Sequence, residues 1–149
     1  MALRIVFAEA NYLVREGTAA LLAEVDDLEV VAAVADLPQL LEAVAATGPD
    51  AVLTDIRMPP THTTEGIQAA RRIRIDHPGV GVVVLSQYVE EEYAFELLAD
   101  GAAGLGYLLK ERIGRVEELV RALREVARGG SVLDPKVVEG LLAHKTRVA

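Results

Sequence analysis

Four apolar runs of the chain each end in a residue whose side chain can do chemistry. In chain order these residues are Glu9, Asp55, Ser86 and Lys110. Two carboxylates suit a hard divalent cation such as Mg²⁺, while a hydroxyl and an ammonium suit the oxygens of a phosphoryl group. A carboxylate can also act as a nucleophile and form an acyl phosphate. If these four side chains meet, they predict metal-assisted phosphoryl chemistry.

The pattern of apolar residues predicts the elements that would bring the four together. Apolar runs typical of buried strands alternate with amphipathic helical patterns. The predicted strands cover residues 3–8, 28–34, 51–54, 80–85 and 104–109. The predicted buried face of the first helix consists of Val14, Thr18, Leu21, Leu22 and Val25.

Strands that are apolar on both faces and separated by helices indicate a parallel sheet covered on each side. We therefore predict an α/β fold: a flavodoxin-like, doubly wound, five-stranded parallel sheet of order 2-1-3-4-5, with helices on both faces. In this order strands 1, 3, 4 and 5 are neighbours, so their carboxyl ends form one rim. The acids, the hydroxyl and the amine should converge there.

Any one of the four residues alone would be weak evidence for a site. Loops begin where strands end in every α/β domain, so polar residues are common there. An isolated acid is more often a helix cap or turn former, and Ser86 or Lys110 alone would be structural or solvated. The prediction depends on all four occurring together.

The composition excludes several other kinds of site. The chain has 149 residues, one ordinary domain in size, and contains no cysteine. Disulfides, thiolate-bound zinc and a cysteine nucleophile are therefore excluded. The net charge of −8 argues against direct binding of DNA or of an anionic membrane. Neither a signal-peptide pattern nor an apolar run of ~20 residues is present, so we expect no membrane contact and a cytoplasmic location.

Together the motifs resemble the receiver domain of two-component response regulators, over about residues 3–128. The strongest match is DIRMPPTHTTEG (55–66), followed at the expected distances by VVVLSQY (82–88) and GYLLKE (106–111). NYLVREG (11–17) is similar to the first helix of the NarL/LuxR-type subfamily. Full members of that subfamily add a helix-turn-helix DNA-binding domain.

The resemblance implies a role for each residue at the rim. Asp55 would accept a phosphoryl group from a phosphohistidine of a sensor histidine kinase. Glu9, Asp55 and the backbone carbonyl of Arg57 would hold Mg²⁺. Lys110 would pair with one phosphoryl oxygen, and Ser86 would hydrogen-bond another.

The resemblance also implies a switch with a distant output. Ser86 would move toward the phosphoryl group, and Tyr107 would fill the space that it leaves. The surface of the fourth helix and fifth strand would then change its associations. The expected output is homodimerisation, with DNA bound only through an output domain that lies outside this chain.

The chain departs from the family pattern in two places. The loop from Asp55 to Gly66 is longer than usual. Ala10 stands where the family usually places a second acid beside Glu9, and a methyl group offers no lone pair to a metal. We expect weak Mg²⁺ binding, with Asn11 as a candidate neutral ligand. Two interpretations stay open: Ala10, natural or introduced, disables the site, or it is a harmless variation.

The character of the chain changes after the predicted receiver, which we place at residues 1–128. Residues 129–149 are expected to form a linker with a short helix, capped by Asp134 and starting at Pro135. Its predicted apolar stripe is Val138, Leu141 and Leu142. Such a tail resembles the link to a DNA-binding domain, so we expect a receiver excised from a longer regulator.

Two alternatives to a phosphorylated switch remain. The first is an enzyme that uses Asp55 as a covalent nucleophile, like dehalogenase-like phosphatases. Those enzymes need a second acid two residues later, where this chain has Arg57, so we predict that it is not an enzyme. The second is a pseudo-receiver, which keeps the fold and signals through protein contacts without phosphate.

Overall fold

The computed structural model describes residues 2–87, 91–112 and 114–148, so Tyr88 of the predicted VVVLSQY motif lies outside the described residues. The strands are β1 (Leu3–Ala8), β2 (Leu28–Val34), β3 (Ala51–Asp55), β4 (Gly81–Ser86), β5 (Leu105–Leu109) and β6 (Val132–Leu133). The helices are α1 (Tyr12–Ala23), α2 (Leu37–Thr47), α3 (Glu65–Asp76), α4 (Glu91–Leu98), α5 (Val116–Ala127) and α6 (Pro135–Val148). A single 3₁₀ turn, Lys110–Arg112, follows β5.

The strands form one parallel sheet of order β2-β1-β3-β4-β5-β6. The predicted α/β class and the order of the first five strands are confirmed, but the predicted count of five is wrong. β6 pairs with β5 through Gly106 opposite Val132 and Tyr107 opposite Leu133. A strand of two residues is too short to show the alternation that identifies strands in a sequence.

Helices cover both faces of the sheet, as a doubly wound fold requires. Buried side chains of α2, α3, α4 and α6 pack on one face, and those of α1 and α5 pack on the other. β3 and β4 are buried along their whole lengths. The carboxyl end of β3 is therefore held rigidly from both sides, which suits a strand that delivers a reactive group.

The predicted buried face of α1 is only partly correct. Leu22 is fully buried, but Val14 and Leu21 are 47% and 56% exposed. The helix carries apolar residues around most of its circumference, so periodicity alone could not select the face that meets the sheet.

The predicted stripe of the C-terminal helix is also partly wrong. Val138 and Leu142 are exposed, while Val137 is buried in the same cluster as Tyr107. The backbone amide of Asp134 donates to the carbonyl of Tyr107 (3.0 Å), which sets the position from which α6 starts. This anchor on β5 is what turns Val137 toward the core.

Across the described ranges, no helix combines the length and the apolar character needed to cross a bilayer. The cytoplasmic location and the functional division after residue 128 stay predictions.

Candidate functional site

The four predicted residues lie together at the carboxyl edge of the sheet. Glu9 follows β1 directly, Asp55 and Ser86 are the last residues of β3 and β4, and Lys110 opens the 3₁₀ turn after β5. A small open cavity of about 90 Å³ lies over this edge. Its lining comprises Asp55, Ile56, Arg57, Leu85, Ser86, Gln87 and Lys110.

Lys110 bridges the two acids. Its Nζ atom lies 2.8 Å from Oδ1 of Asp55 and 3.4 Å from Oε1 of Glu9. Both carboxylates are buried, at 5% exposure each, whereas the lysine side chain is 40% exposed. One ammonium therefore faces two acids in a site that remains open on the side of the cavity.

Burial and proximity separate the ionisation of the two acids. Burial raises the pKa of Asp55 to about 7, and the adjacent Glu9 carboxyl adds to this increase while Lys110 opposes it. Burial would also raise the pKa of Glu9, but hydrogen bonds with Asp55, the Asn11 amide and Lys110 outweigh it and lower that pKa. Burial would lower the pKa of Lys110, yet its two acidic partners raise it. The site therefore holds a charged lysine and an ionised Glu9, and Asp55 has a pKa of about 7.

The sequence that forms this site matches a known protein family. Residues 5–124 match the family model of the response regulator receiver domain. The chain belongs to the receiver domain family.

Relatives of this receiver are regulatory proteins. DegU of Brevibacillus brevis, a transcriptional regulatory protein, is 36% identical over 146 residues, which cover 98% of this chain and 59% of DegU. NreC of Staphylococcus carnosus, an oxygen regulatory protein, is 35% identical over 140 residues, which cover 94% of this chain and 62% of NreC. The receiver therefore spans about three fifths of the length of these curated relatives.

A solved structure agrees with the sequence relatives. The receiver domain of the putative response regulator NarL from Mycobacterium tuberculosis matches with a TM-score of 0.74 and 31% identity. The match covers 86% of this chain and 98% of that one. The predicted membership of the NarL/LuxR-type response regulators is confirmed. Receiver domains are signalling domains and generally not enzymes, and they typically bind Mg²⁺ and partner a histidine kinase.

The residues that follow Ala10 contact Glu9 and helix α1. The Asn11 side-chain oxygen accepts the Val14 amide (3.0 Å) and caps α1, so the predicted candidate ligand is engaged in the helix. The Asn11 amide donates to Oε2 of Glu9 (3.0 Å). Nη1 of Arg15 donates to the Glu9 backbone carbonyl (2.9 Å), which places a second cation at the rim.

The role of Arg15 was missed by the sequence analysis. A helical side chain leans toward the N-terminus of its helix, so a long cation in the first turns of α1 can reach back to the preceding loop. That signal was available, but its acceptor is a backbone carbonyl, which no residue pattern reveals.

The remaining donors fit Mg²⁺ in kind, although not in number. Glu9, Asp55 and the Arg57 backbone carbonyl are all oxygen donors, and Mg²⁺ is commonly held by one or two carboxylates with several waters retained. Within the described residues, no group of three or more His, Cys, Asp or Glu side chains is arranged to hold a metal. A bound Mg²⁺, which is octahedral, would therefore depend on water for about half of its coordination.

The predicted switch residues, Ser86 and Tyr107, lie on the neighbouring strands β4 and β5. Ser86 is buried and lines the cavity. Tyr107 is fully buried in the middle of β5, opposite Val84 of β4 and Leu133 of β6. The aromatic ring thus belongs to the same hydrophobic cluster as Leu133 of β6 and Val137 of α6. A movement of the ring would therefore change the packing of β6 and α6.

Proposed function

We propose that this receiver is a phosphorylated switch, in which Asp55 accepts a phosphoryl group from the phosphohistidine of a sensor histidine kinase. The observation that carries the proposal is the 2.8 Å contact between the Lys110 ammonium and a buried Asp55 carboxylate at an open cavity. A buried carboxylate that is paired with a cation and lines a cavity is typical of functional sites.

The residues of the chain have distinct tasks in the transfer. One Asp55 oxygen bonds to phosphorus as the phosphorus–nitrogen bond of the phosphohistidine breaks, and the imidazole nitrogen keeps the electron pair of that bond. Lys110 stabilises the ionised form of Asp55 and then pairs with a phosphoryl oxygen. Ser86 hydrogen-bonds another phosphoryl oxygen.

Glu9, Asp55 and the Arg57 carbonyl would hold Mg²⁺ at this site. When bound, the metal supplies positive charge that offsets the charge of the transferring phosphoryl oxygens. Because Ala10 provides no ligand, we propose that binding is weak. Arg15, held on the Glu9 carbonyl, supplies part of the positive charge at the rim.

The output that we propose is a change in association. A phosphorylated Asp55 gains negative charge and acceptor oxygens, which draw Ser86 toward them and alter the packing around Tyr107. The altered surface of α4 and β5 then controls homodimerisation in the cytoplasm. Transcription would be regulated through a DNA-binding output domain; DegU, a longer relative, is described as a transcriptional regulatory protein.

Two observations favour a second candidate, the pseudo-receiver. Ala10 and a raised pKa of Asp55 both weaken a phosphoryl-accepting site. Such a protein would use its receiver surfaces for protein contacts without phosphate.

Intact-mass measurement after incubation with acetyl phosphate and Mg²⁺ separates these functions. A stable gain of one phosphoryl group supports the switch. No gain supports the pseudo-receiver, and steady consumption of the donor without a stable adduct supports an enzyme.

A further inference from the structure

The long loop between β3 and α3 is closed by a buried carboxylate. Glu65, the first residue of α3, is only 1% exposed. Its Oε2 accepts the Thr61 amide (2.6 Å) and the Thr61 hydroxyl, and its Oε1 accepts the Thr63 amide (2.9 Å). One side chain thus fixes the two ends of the Thr61–Thr63 turn.

The loop and the start of α3 hold the backbone after β3 at two carbonyls. The His62 amide donates to the carbonyl of Met58 (3.0 Å), and the Gly66 amide donates to the carbonyl of Ile56 (2.7 Å). These two acceptors lie on either side of Arg57, whose carbonyl is the proposed metal ligand. Arg57 is therefore held between two fixed peptide groups.

The start of α3 also lies directly against the backbone of Asp55. A Cβ atom added to Gly66 would come within 2.1 Å of the Asp55 carbonyl oxygen and 2.7 Å of the Ile56 Cα atom. There is no room for the helix to shift toward the strand. A helix that moved away would release the Ile56 carbonyl.

We infer that Glu65 is a positioning residue: by closing the Thr61–Thr63 turn, it fixes the Arg57 carbonyl and the Asp55 backbone in the geometry that phosphoryl transfer requires. The inference rests on the proposed function. The inference also explains how a loop of this length stays ordered: without the Glu65 contacts, a longer connection would leave the backbone after Asp55 free to move.

A charged carboxylate is the group that this position demands. Its two oxygens meet two amides and one hydroxyl, and all three are donors. Glutamine offers one acceptor oxygen and turns an NH₂ group toward a donor. Glu65→Gln therefore breaks one end of the turn while nearly keeping the size of the side chain.

The test compares four variants of the same chain. Glu65→Gln removes the charge, and Thr61→Val removes the hydroxyl with its bonds to Glu65 and to the Thr63 hydroxyl, at nearly constant shape. Thr61→Ser keeps that hydroxyl and is the conservative rescue. Ile73→Val, in the buried face of α3, controls for a general loss of stability.

Two measurements are made on each variant. Amide hydrogen exchange at His62 and Gly66, without metal, reports whether the loop still holds β3. The initial phosphorylation rate with acetyl phosphate, titrated with Mg²⁺, reports the geometry of the Arg57 carbonyl. For Glu65→Gln we expect faster exchange at both amides and a half-saturating Mg²⁺ concentration ~10-fold higher. Thr61→Val should show smaller changes in the same direction, Thr61→Ser should resemble the parent, and Ile73→Val should leave the Mg²⁺ requirement unchanged.

The outcomes decide both claims separately. If the parent is phosphorylated and Glu65→Gln needs the same Mg²⁺ concentration as the parent, the positioning role is wrong and the proposed function stands. If Ile73→Val raises the Mg²⁺ requirement as much as Glu65→Gln does, the effect is general destabilisation and the positioning role is wrong. A Glu65→Gln variant that does not fold leaves the decision to the matched pair at Thr61, where equal behaviour of valine and serine overturns the inference. A parent that gains no phosphoryl group overturns both.

Discussion

Asp55 and Glu65 are two buried carboxylates at the same edge of the sheet, and their surroundings give them opposite properties. Burial would raise the pKa of Glu65, but hydrogen bonds from Thr61 and Thr63 outweigh it and lower the pKa to about 2. Burial raises the pKa of Asp55 to about 7, because Glu9 lies beside it and a single ammonium cannot offset both effects.

The difference lies in the donors that meet each acid. Glu65 accepts hydrogen bonds from two amides and a hydroxyl, which stabilise its ionised form. Asp55 shares a single half-exposed lysine with Glu9 and lines an open cavity, so a cation that enters the cavity can supply further positive charge. The acid that we propose to react and the acid that we propose to fix its loop can therefore lie ten residues apart in the chain with different surroundings.

The largest expected effect is a loss of folding stability at low pH, when Glu65 becomes protonated. Glu65 has a folded-state pKa below its ordinary value of 4.5, so its stabilising contribution is present above pH 4.5 and is lost as the pH falls toward 2. The full loss is at most about 3 kcal/mol, because solvent around the exposed Thr61 and Thr63 screens part of the interaction. Urea unfolding from pH 5 downward should show a steep loss of stability in the parent and a shallower one in Glu65→Gln.

Glu42→Gln, an exposed position on α2, is the matched control for that experiment. It should keep the steep dependence of the parent. If the free energy of unfolding fell equally with pH in the parent and in Glu65→Gln, the Glu65 carboxylate would not be stabilised by hydrogen bonds in the folded state. The contrast with Asp55 would then be wrong.

The next effect concerns the cation at the reactive acid. Lys110→Ala removes the ammonium from the acid pair, so Asp55 should ionise less readily and the transferring phosphoryl group should lose its partner. We expect the domain to fold and the phosphorylation rate with acetyl phosphate to fall ~100-fold. Lys136→Ala, on the exposed surface of α6, should behave as the parent does. Equal rates in all three proteins would contradict the role of Lys110.

The smallest expected effect is a change in Mg²⁺ affinity when an acid is introduced at position 10. Ala10→Asp supplies a third carboxylate at the rim and should bind Mg²⁺ ~10-fold more tightly, with faster phosphorylation. Ala20→Asp, an exposed position on α1, adds the same charge away from the site and should change neither. Calorimetric titration measures both affinities. Equal Mg²⁺ affinity in Ala10→Asp and the parent would mean that Glu9 and Asp55 suffice and that Ala10 is a harmless variation.

Features set by strand order could be predicted from the sequence. The positions of Glu9, Asp55, Ser86 and Lys110 after apolar runs were enough to place them at one rim, because parallel strands share the direction of their carboxyl ends. β6 could not be found, since two residues carry no periodicity. The buried face of α1 was ambiguous because apolar residues surround most of that helix.

The finer parts of the site depend on backbone groups. Arg15 reaches a carbonyl, and Glu65 is fixed by amides of its own loop. Every residue has such groups, so the sequence carries no mark of which ones will face a given side chain. Only the folded chain shows that Arg15 adds a cation at the rim and that Glu65 closes the loop after Asp55.

The central claim is that Asp55 is a phosphoacceptor, and intact-mass measurement of the parent and of Asp55→Asn tests it most directly. Both proteins are incubated with acetyl phosphate and Mg²⁺, and circular dichroism shows whether the variant keeps the parental fold. The account predicts a gain of one phosphoryl group in the parent and none in the folded Asp55→Asn variant. An equal gain in both proteins would contradict it, because the phosphoryl group would then reside on another residue.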